Sequence, residues 1–300
     1  MDTARYRAFL MASDTGSIRS AADILGYTSS GVSQLIHALE SELNVTLFLR
    51  GKKGVTLTAA GEALLPVVQN LISQENHVLQ LAADMNGTVS GTVNIASYHG
   101  LANAWMPDVI SAFQKTYPKV RVNLYEGTQQ DIMERLQSGK SDIAFFNNST
   151  MSGKYDWIPL LDDPMLAVVP ASHPMANATV FPVDKFVGER FIMPEHGYDF
   201  DVLDILSEFK ITPDVYLSTL DTYILLEMVK KELGISMING TCLYGRKNDG
   251  KLSVIPLTPA RSIQMGIAVL SLKDATPAVQ KFTELARTII KNIDLRNEFL

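Results

Sequence analysis

The sequence predicts an α/β chain that begins with a small helical head and carries one long helix behind it. Three observations predict this. Residues 4–43 hold three short helix patterns punctuated by glycines and hydroxyl caps. Residues 59–85 hold a single apolar periodicity with no glycine after Gly61. From residue 92 onward, β-rich runs alternate with helical stretches of about 10–15 residues, which argues for a parallel sheet and α/β architecture.

The first pattern sets Tyr6, Phe9 and Leu10 on one face of a helix that ends near Gly16. Ser17 then caps a second helix, Ile18 to Leu25, because its hydroxyl can accept an orphan amide of the next turn. That helix turns Ala21, Ala22 and Leu25 inward, and the small alanine pair permits a close helix crossing. Gly26 suits the left-handed position that ends a helix, and Thr28 caps a third helix with Val32, Ile36, Leu39 and Leu43 at 3.6-residue spacing. Two helices joined by a short Gly-containing turn form a helix-turn-helix. A basic turn, Arg50-Gly51-Lys52-Lys53-Gly54, followed by the strand Val55-Thr56-Leu57, adds a wing. Glu40 is expected to support the fold.

Charge follows the same division. The chain has 300 residues and a formal charge of −6, which excludes indiscriminate coating of nucleic acid or anionic lipid. Residues 1–60 nevertheless hold six basic side chains (Arg5, Arg7, Arg19, Arg50, Lys52, Lys53) against five acidic ones, so the acidic excess lies beyond them. Cys242 is the one cysteine, which fits a reducing cytoplasm. No basic-then-apolar leader and no run of about 18 apolar residues is visible, so neither secretion nor a membrane partner is expected.

On these residues the chain resembles a known family. Ser17-Ile-Arg-Ser-Ala-Ala-Asp-Ile-Leu25, Val32-Ser33-Gln34-Leu35-Ile36, Leu39-Glu40, Leu43, Leu47-Phe48-Leu49-Arg50 and Leu57-Thr58-Ala-Ala-Gly61-Glu62 resemble the amino-terminal domain of LysR-type transcriptional regulators. Where that family often carries Gln-Pro-Ala, this chain has Ser29-Ser30-Gly31, so its base preference transfers less. The reading expects double-stranded DNA as partner. Thr28, Ser29, Ser30, Ser33, Gln34 and His37 lie at the start and exposed face of the recognition helix, where side chains reach base edges. Arg19, Arg50, Lys52 and Lys53 are placed as phosphate contacts, which position without specifying.

From Ala59 to Met85, Leu64, Val68, Leu71, Val78, Ala82 and Met85 recur at alternating spacings of four and three, with Glu75 as the polar interruption. That is heptad spacing, and with no neighbouring segment to supply a seam it points to a homodimer through this helix. Pro66 should kink the helix near its start unless the helix begins later. The resemblance further implies homotetramers on paired half-sites, with RNA polymerase a further candidate partner.

The remainder reads as strand Thr92–Ser97, a helix to Tyr117, strand Val120–Glu126, helix Gln129–Ser138 and strand Asp142–Phe146. A second series runs from Met165, with crossings near Asp162 and Gln264 and a last helix from Pro277. This resembles the family's effector-binding region, which implies a periplasmic-binding-protein-like pair of α/β subdomains. Ligands of such sheets sit at the carboxyl ends of strands. That rule selects Ser97, Tyr98, His99, Thr128 and Gln129 on one wall, and Glu195, His196, Tyr198, Asp199 and Thr222 on the other. Glu195, Asp199, Asp201 and Asp221 crowd the second wall and the four loops hold no Lys or Arg, so an amine-bearing, neutral or zwitterionic effector is expected at least as readily as an anion.

The expected organisation is a winged helix-turn-helix over 1–58, a linker and dimerisation helix over 59–89, and an effector domain over 90–300. Its subdomains are 90–162 with 268–300, and 163–267. The five histidines show no metal-ligand spacing and no glycine-rich nucleotide fingerprint occurs, so no cofactor, metal or catalytic residue is expected. The alternative left open is a cytoplasmic small-molecule-binding protein without gene-regulatory output; an enzyme is a third reading.

Overall fold

The computed structural model describes residues 3–51, 54–147, 153–194, 199–246 and 249–292. The chain forms two compact units, one of Met1–Thr88 with Gln137–Lys140 and the other of Val89–Leu136 with Ser141–Leu300.

In the first unit, helices α1 (Ala4–Thr15), α2 (Ile18–Leu25) and α3 (Ser29–Leu43) precede a hairpin of β1 (Phe48–Gly51) and β2 (Gly54–Leu57) and the long helix α4 (Ala59–Met85). The expected caps are present. Ser17 accepts a hydrogen bond from the Ser20 amide, Thr28 accepts one from Gly31, and Gly26 closes α2 at φ 72°. Phe9, Ala21, Val32, Ile36, Leu39 and Leu47 are fully buried together, each large side chain contributing about 1.5–3 kcal/mol. Gly54 is held where no other residue fits: at φ 125°, an added Cβ would lie 2.2 Å from the Gly16 carbonyl oxygen. That approach lets Val55 donate to the same oxygen at 2.9 Å and ties the wing to the end of α1.

The heptad reading of α4 needs correction, because α1 supplies a seam for its first half. Leu64 and Val68 join the head's core, and Ile72, outside the predicted seam, is buried as well. Glu75, the apparent interruption, accepts from the Thr3 hydroxyl and from Arg7, each at 2.8 Å. The Thr3 hydrogen bond, with the Arg7 guanidinium, holds its carboxyl below the ordinary range. Beyond that point the apolar residues are uncovered: Val78 is 66% and Met85 85% exposed. The helix starts at Ala59 and continues through Pro66.

The second unit contains β3 (Gly91–Tyr98), α5 (His99–Thr116), β4 (Val120–Gly127), α6 (Gln129–Gln137) and β5 (Ile143–Asn147). There follow β6 (Asp156–Pro170), β7 (Phe181–Pro182), β8 (Arg190–Pro194), α7 (Phe200–Glu208), β9 (Asp214–Thr219) and α8 (Thr222–Lys230). The chain then makes β10 (Ser236–Asn239), a 3₁₀ turn Gly240–Leu243, β11 (Leu252–Thr258), β12 (Ser262–Val269) and α9 (Pro277–Lys291).

The main sheet runs β4-β3-β5-β12-β6-β11-β7, with β10 also on β6 and β8 paired with β9. It is mixed, not parallel as expected. β3 is parallel to β4 and β5, and β8 to β9, but β12 opposes both β5 and β6. A strand that carries the chain out and another that brings it back must run in opposite directions, and Asp162 faces Gln264 in that pair. β11 escaped the periodicity because Pro256 interrupts its pattern. Trp105, Phe113, Phe145 and Phe282 are fully buried between the sheet and α5 and α9. Among the described residues no helix is long and apolar enough to cross a membrane.

Candidate nucleic-acid interface and ligand cleft

On α3, Ser29, Ser30, Gln34 and His37 are exposed and Ser33 half-buried, on the face opposite Val32, Ile36 and Leu39. Arg19 is exposed on α2. Thr28 spends its oxygen on the cap at 3.1 Å and lies 3.1 Å from the Ser30 hydroxyl. Arg50, on the wing, donates to Ser33 Oγ at 3.1 Å. The wing thus brings a guanidinium alongside a hydroxyl of the exposed helix face. Glu40 fixes the geometry from behind, its Oε1 accepting from the amides of Leu47 at 2.8 Å and Phe48 at 3.3 Å. Lys52 and Lys53 lie outside the described residues.

In the second unit, the carboxyl ends of β3, β4, β5, β8 and β10 surround a cavity of about 260 Å³. Of the residues selected from sequence, Tyr98, His99, Gln129, Asp199 and Thr222 line it. Two do not. Ser97 is fully buried and donates to the Tyr98 carbonyl at 3.0 Å; strand alternation turns it into the sheet's packed face. Thr128 donates to Asp131 Oδ2 at 2.7 Å, serving the start of α6. Glu195, His196 and Tyr198 lie outside the described residues. The strand-end rule applies equally to Glu126, Asn147 and Asn239, which also line the cavity and were not selected. Met165, Ile238, Ile263 and Met265 add an apolar floor that this rule does not address.

The carboxylates of the cleft have structural duties. Asp199 Oδ1 accepts from the amides of Asp201 and Val202 at 2.9 and 3.1 Å, capping α7. Asp221 Oδ1 accepts from Tyr223 and Ile224, capping α8. Asp201 accepts from Asn147, and Glu126 lies 2.6 Å from His99 Nδ1. Burial pushes the Asp199 carboxyl above its ordinary range, against the pull of its two amides.

At the cavity wall, Cys242 donates to Asn239 Oδ1 at 3.0 Å, and Asn239 Nδ2 donates to the fully buried Asp163 at 2.5 Å. The Thr241 amide also donates to Asp163. Burial pushes the Cys242 thiol up to about 12, against a hydrogen bond from Thr222. Such a thiol is protonated at neutral pH and a poor nucleophile. Among the described residues no group of His, Cys, Asp and Glu is arranged to hold a metal ion.

Comparison with known proteins accounts for both units. Residues 3–62 match the family described as "Bacterial regulatory helix-turn-helix protein, lysR family", and residues 86–290 match the "LysR substrate binding domain". The chain is 27% identical over 290 residues to the HTH-type transcriptional regulator YvbU of Bacillus subtilis, covering 96% of this chain and 99% of that one. It is 25% identical over 279 residues to the dual regulator OxyR of Escherichia coli, covering 92% and 90%. Among solved structures, a full-length OxyR from Pseudomonas aeruginosa superposes with a TM-score of 0.79 at 20% identity, covering 98% of this chain and 99% of that one. CbnR, solved in complex with its target DNA, gives 0.56 at 17%, covering 97% and 100%.

Proposed function

The chain belongs to the LysR family of bacterial transcriptional regulators, and we propose how this member divides the work of a ligand-modulated DNA-binding protein among its residues. Ser29, Ser30, Ser33, Gln34 and His37 read base edges in a major groove, Gln34 having the geometry to pair bidentately with adenine. Thr28 orders the start of the helix they stand on. Arg19, Arg50, Lys52 and Lys53 hold phosphates. The exposed far half of α4 pairs with a second copy, so that two heads meet two half-sites. Pairs of dimers then form tetramers, and RNA polymerase is a partner at the promoter. The working compartment is the cytoplasm. Residues 1–58, 59–89 and 90–300 serve as reading head, linker and sensor, the sensor's lobes being 90–162 with 268–300, and 163–267.

The cleft takes the effector against Tyr98, His99, Gln129, Asp199 and Thr222. A ligand shifts the regulator only by its differential affinity for two arrangements of the protein. A cavity walled by five strand ends meets that requirement if the lobes close on the ligand. The observation that carries the reading is the presence, on one chain, of an exposed polar helix face beside a basic wing and of a cavity at strand ends.

The likeness to OxyR does not carry peroxide chemistry to this chain. Its one cysteine has a raised pKa and is bonded within the fold. Selection of bound duplexes from random DNA with the full-length protein tests the first half, and two-fold-related half-sites are the expected yield. Recovery of unenriched sequence overturns it. Filling the cavity with Met265→Trp, followed by a reporter assay on the recovered site, tests the second; an unaltered response overturns the cleft as sensor.

A further inference from the structure

The cavity's charge balance separates ligand classes. No Lys or Arg lines it among the described residues, while Glu126, Asp199, Asp201 and Asp221 do. Helix amino termini usually make such a cleft attractive to anions, but here the chain's own carboxylates occupy three of them: Asp199 on α7, Asp221 on α8, and Asp131, which accepts from the Thr128 amide, on α6; α5, whose first turn lines the cavity, has no side-chain cap. An anionic ligand would therefore meet like charge at three of these helix starts, and α5 alone is left without a carboxylate cap. Asp199 differs from a simple cap. Both its amide bonds go to Oδ1, and among the described residues Oδ2 has no hydrogen-bond partner. The volume gives a scale for the ligand: an engineered cavity of about 150 Å³ holds benzene, so about 260 Å³ has room for roughly ten non-hydrogen atoms.

We propose that the effector is a small ammonium compound of zero or positive net charge, its cation seated against Asp199 and its apolar body on Met165, Ile263 and Met265. This rests on the reading of the cleft as sensor. The burial that raises the Asp199 carboxyl also favours a cation beside it, because a charge-assisted contact is strengthened where water is excluded.

The test uses the full-length protein and four probes of similar size: n-pentylamine, the amino acid norvaline, pentanoate and n-pentanol. Thermal shift and calorimetric titration should show binding of at least one of the two ammonium probes and at least tenfold weaker binding of pentanoate and n-pentanol. Asp199→Asn keeps a good helix cap and removes the charge, so it should lower affinity for the bound ammonium probe at least about tenfold, with the unliganded midpoint little changed. Binding of pentanoate or n-pentanol equal to or tighter than that of both ammonium probes overturns the proposal, as does binding of none of the four or unchanged amine affinity in Asp199→Asn. In each case the Met265→Trp reporter result stands apart: an altered response keeps the cleft as sensor with another ligand class, and an unaltered one removes both readings.

Discussion

Glu40→Ala removes the acceptor that joins the recognition helix to the wing, and its effect can be worked from two distances. Oε1 accepts from Leu47 at 2.8 Å and from Phe48 at 3.3 Å. A hydrogen bond to a charged acceptor contributes about 1.5–3 kcal/mol net; the longer bond lies at the low end, giving about 3–4.5 kcal/mol together. In a unit of 60–100 residues each kcal/mol shifts the midpoint by about 4–8 °C, so the head should melt about 12–36 °C lower. Glu40→Gln retains a neutral acceptor and should lose about half as much. The protein provides its own control: both tryptophans, Trp105 and Trp157, belong to the second unit. Tryptophan fluorescence should then report an unchanged transition while far-ultraviolet circular dichroism shows the head melting early. DNA affinity should fall at temperatures between the two. A head transition within about 2 °C of wild type, or a displaced fluorescence transition, would refute the reasoning.

Replacing Ser33 and Gln34 together with Ala should weaken operator binding about 10- to 100-fold in gel shifts and leave binding to unrelated duplex nearly unchanged; equal loss on both would remove their role as base readers. Val78→Glu with Met85→Glu should shift sedimentation toward monomer, weakening self-association at least a hundredfold on the order of 1.5–3 kcal/mol per covered side chain, without lowering the head's melting midpoint. Asp163→Leu leaves the buried Thr241 N–H and the Asn239 amide at the cavity wall without an acceptor, and should cost about 2–4 kcal/mol in urea unfolding followed by tryptophan fluorescence. Cys242, with its thiol pushed up to about 12, should react with iodoacetamide at pH 8 at least about a hundredfold more slowly than free cysteine, the rate climbing with pH well beyond the range where ordinary thiols level off.

What could be read from the residues depended on how local its cause was. Caps at Ser17 and Thr28 and the turn at Gly26 are decided within four residues, and the structure has each of them. The α4 seam was misread because a 3.6-residue pattern reports which face is apolar, not what covers it; α1, about 60 positions earlier, covers Leu64 and Val68. The mixed sheet likewise depends on strands distant in sequence, β6 and β12. In the cleft, the strand-end rule located the right loops but does not distinguish inward from outward side chains. Ser97 alternates away from the cavity while Tyr98, one residue on, lines it. The acidic second wall was visible as composition, yet the use of Asp199 and Asp221 as caps needed the helix starts in place.

Because α4 is a single helix from Ala59 to Met85, two of its tasks share one angular scale. Val68 and Ile72 set the azimuth of the reading head, and Val78 and Met85 set that of the exposed stripe. The two bearings are locked by the residue count between them, since each residue turns the rod by about 100° and advances it about 1.5 Å. One residue inserted between Ile72 and Val78 would swing the head about a quarter-turn around the partner, with every contact inside the head intact. Seven would return it almost to its bearing, about 10.5 Å farther along the axis. Half-site spacing and phase on DNA are thus encoded as a length of helix, adjustable by insertion without altering a residue that touches a base.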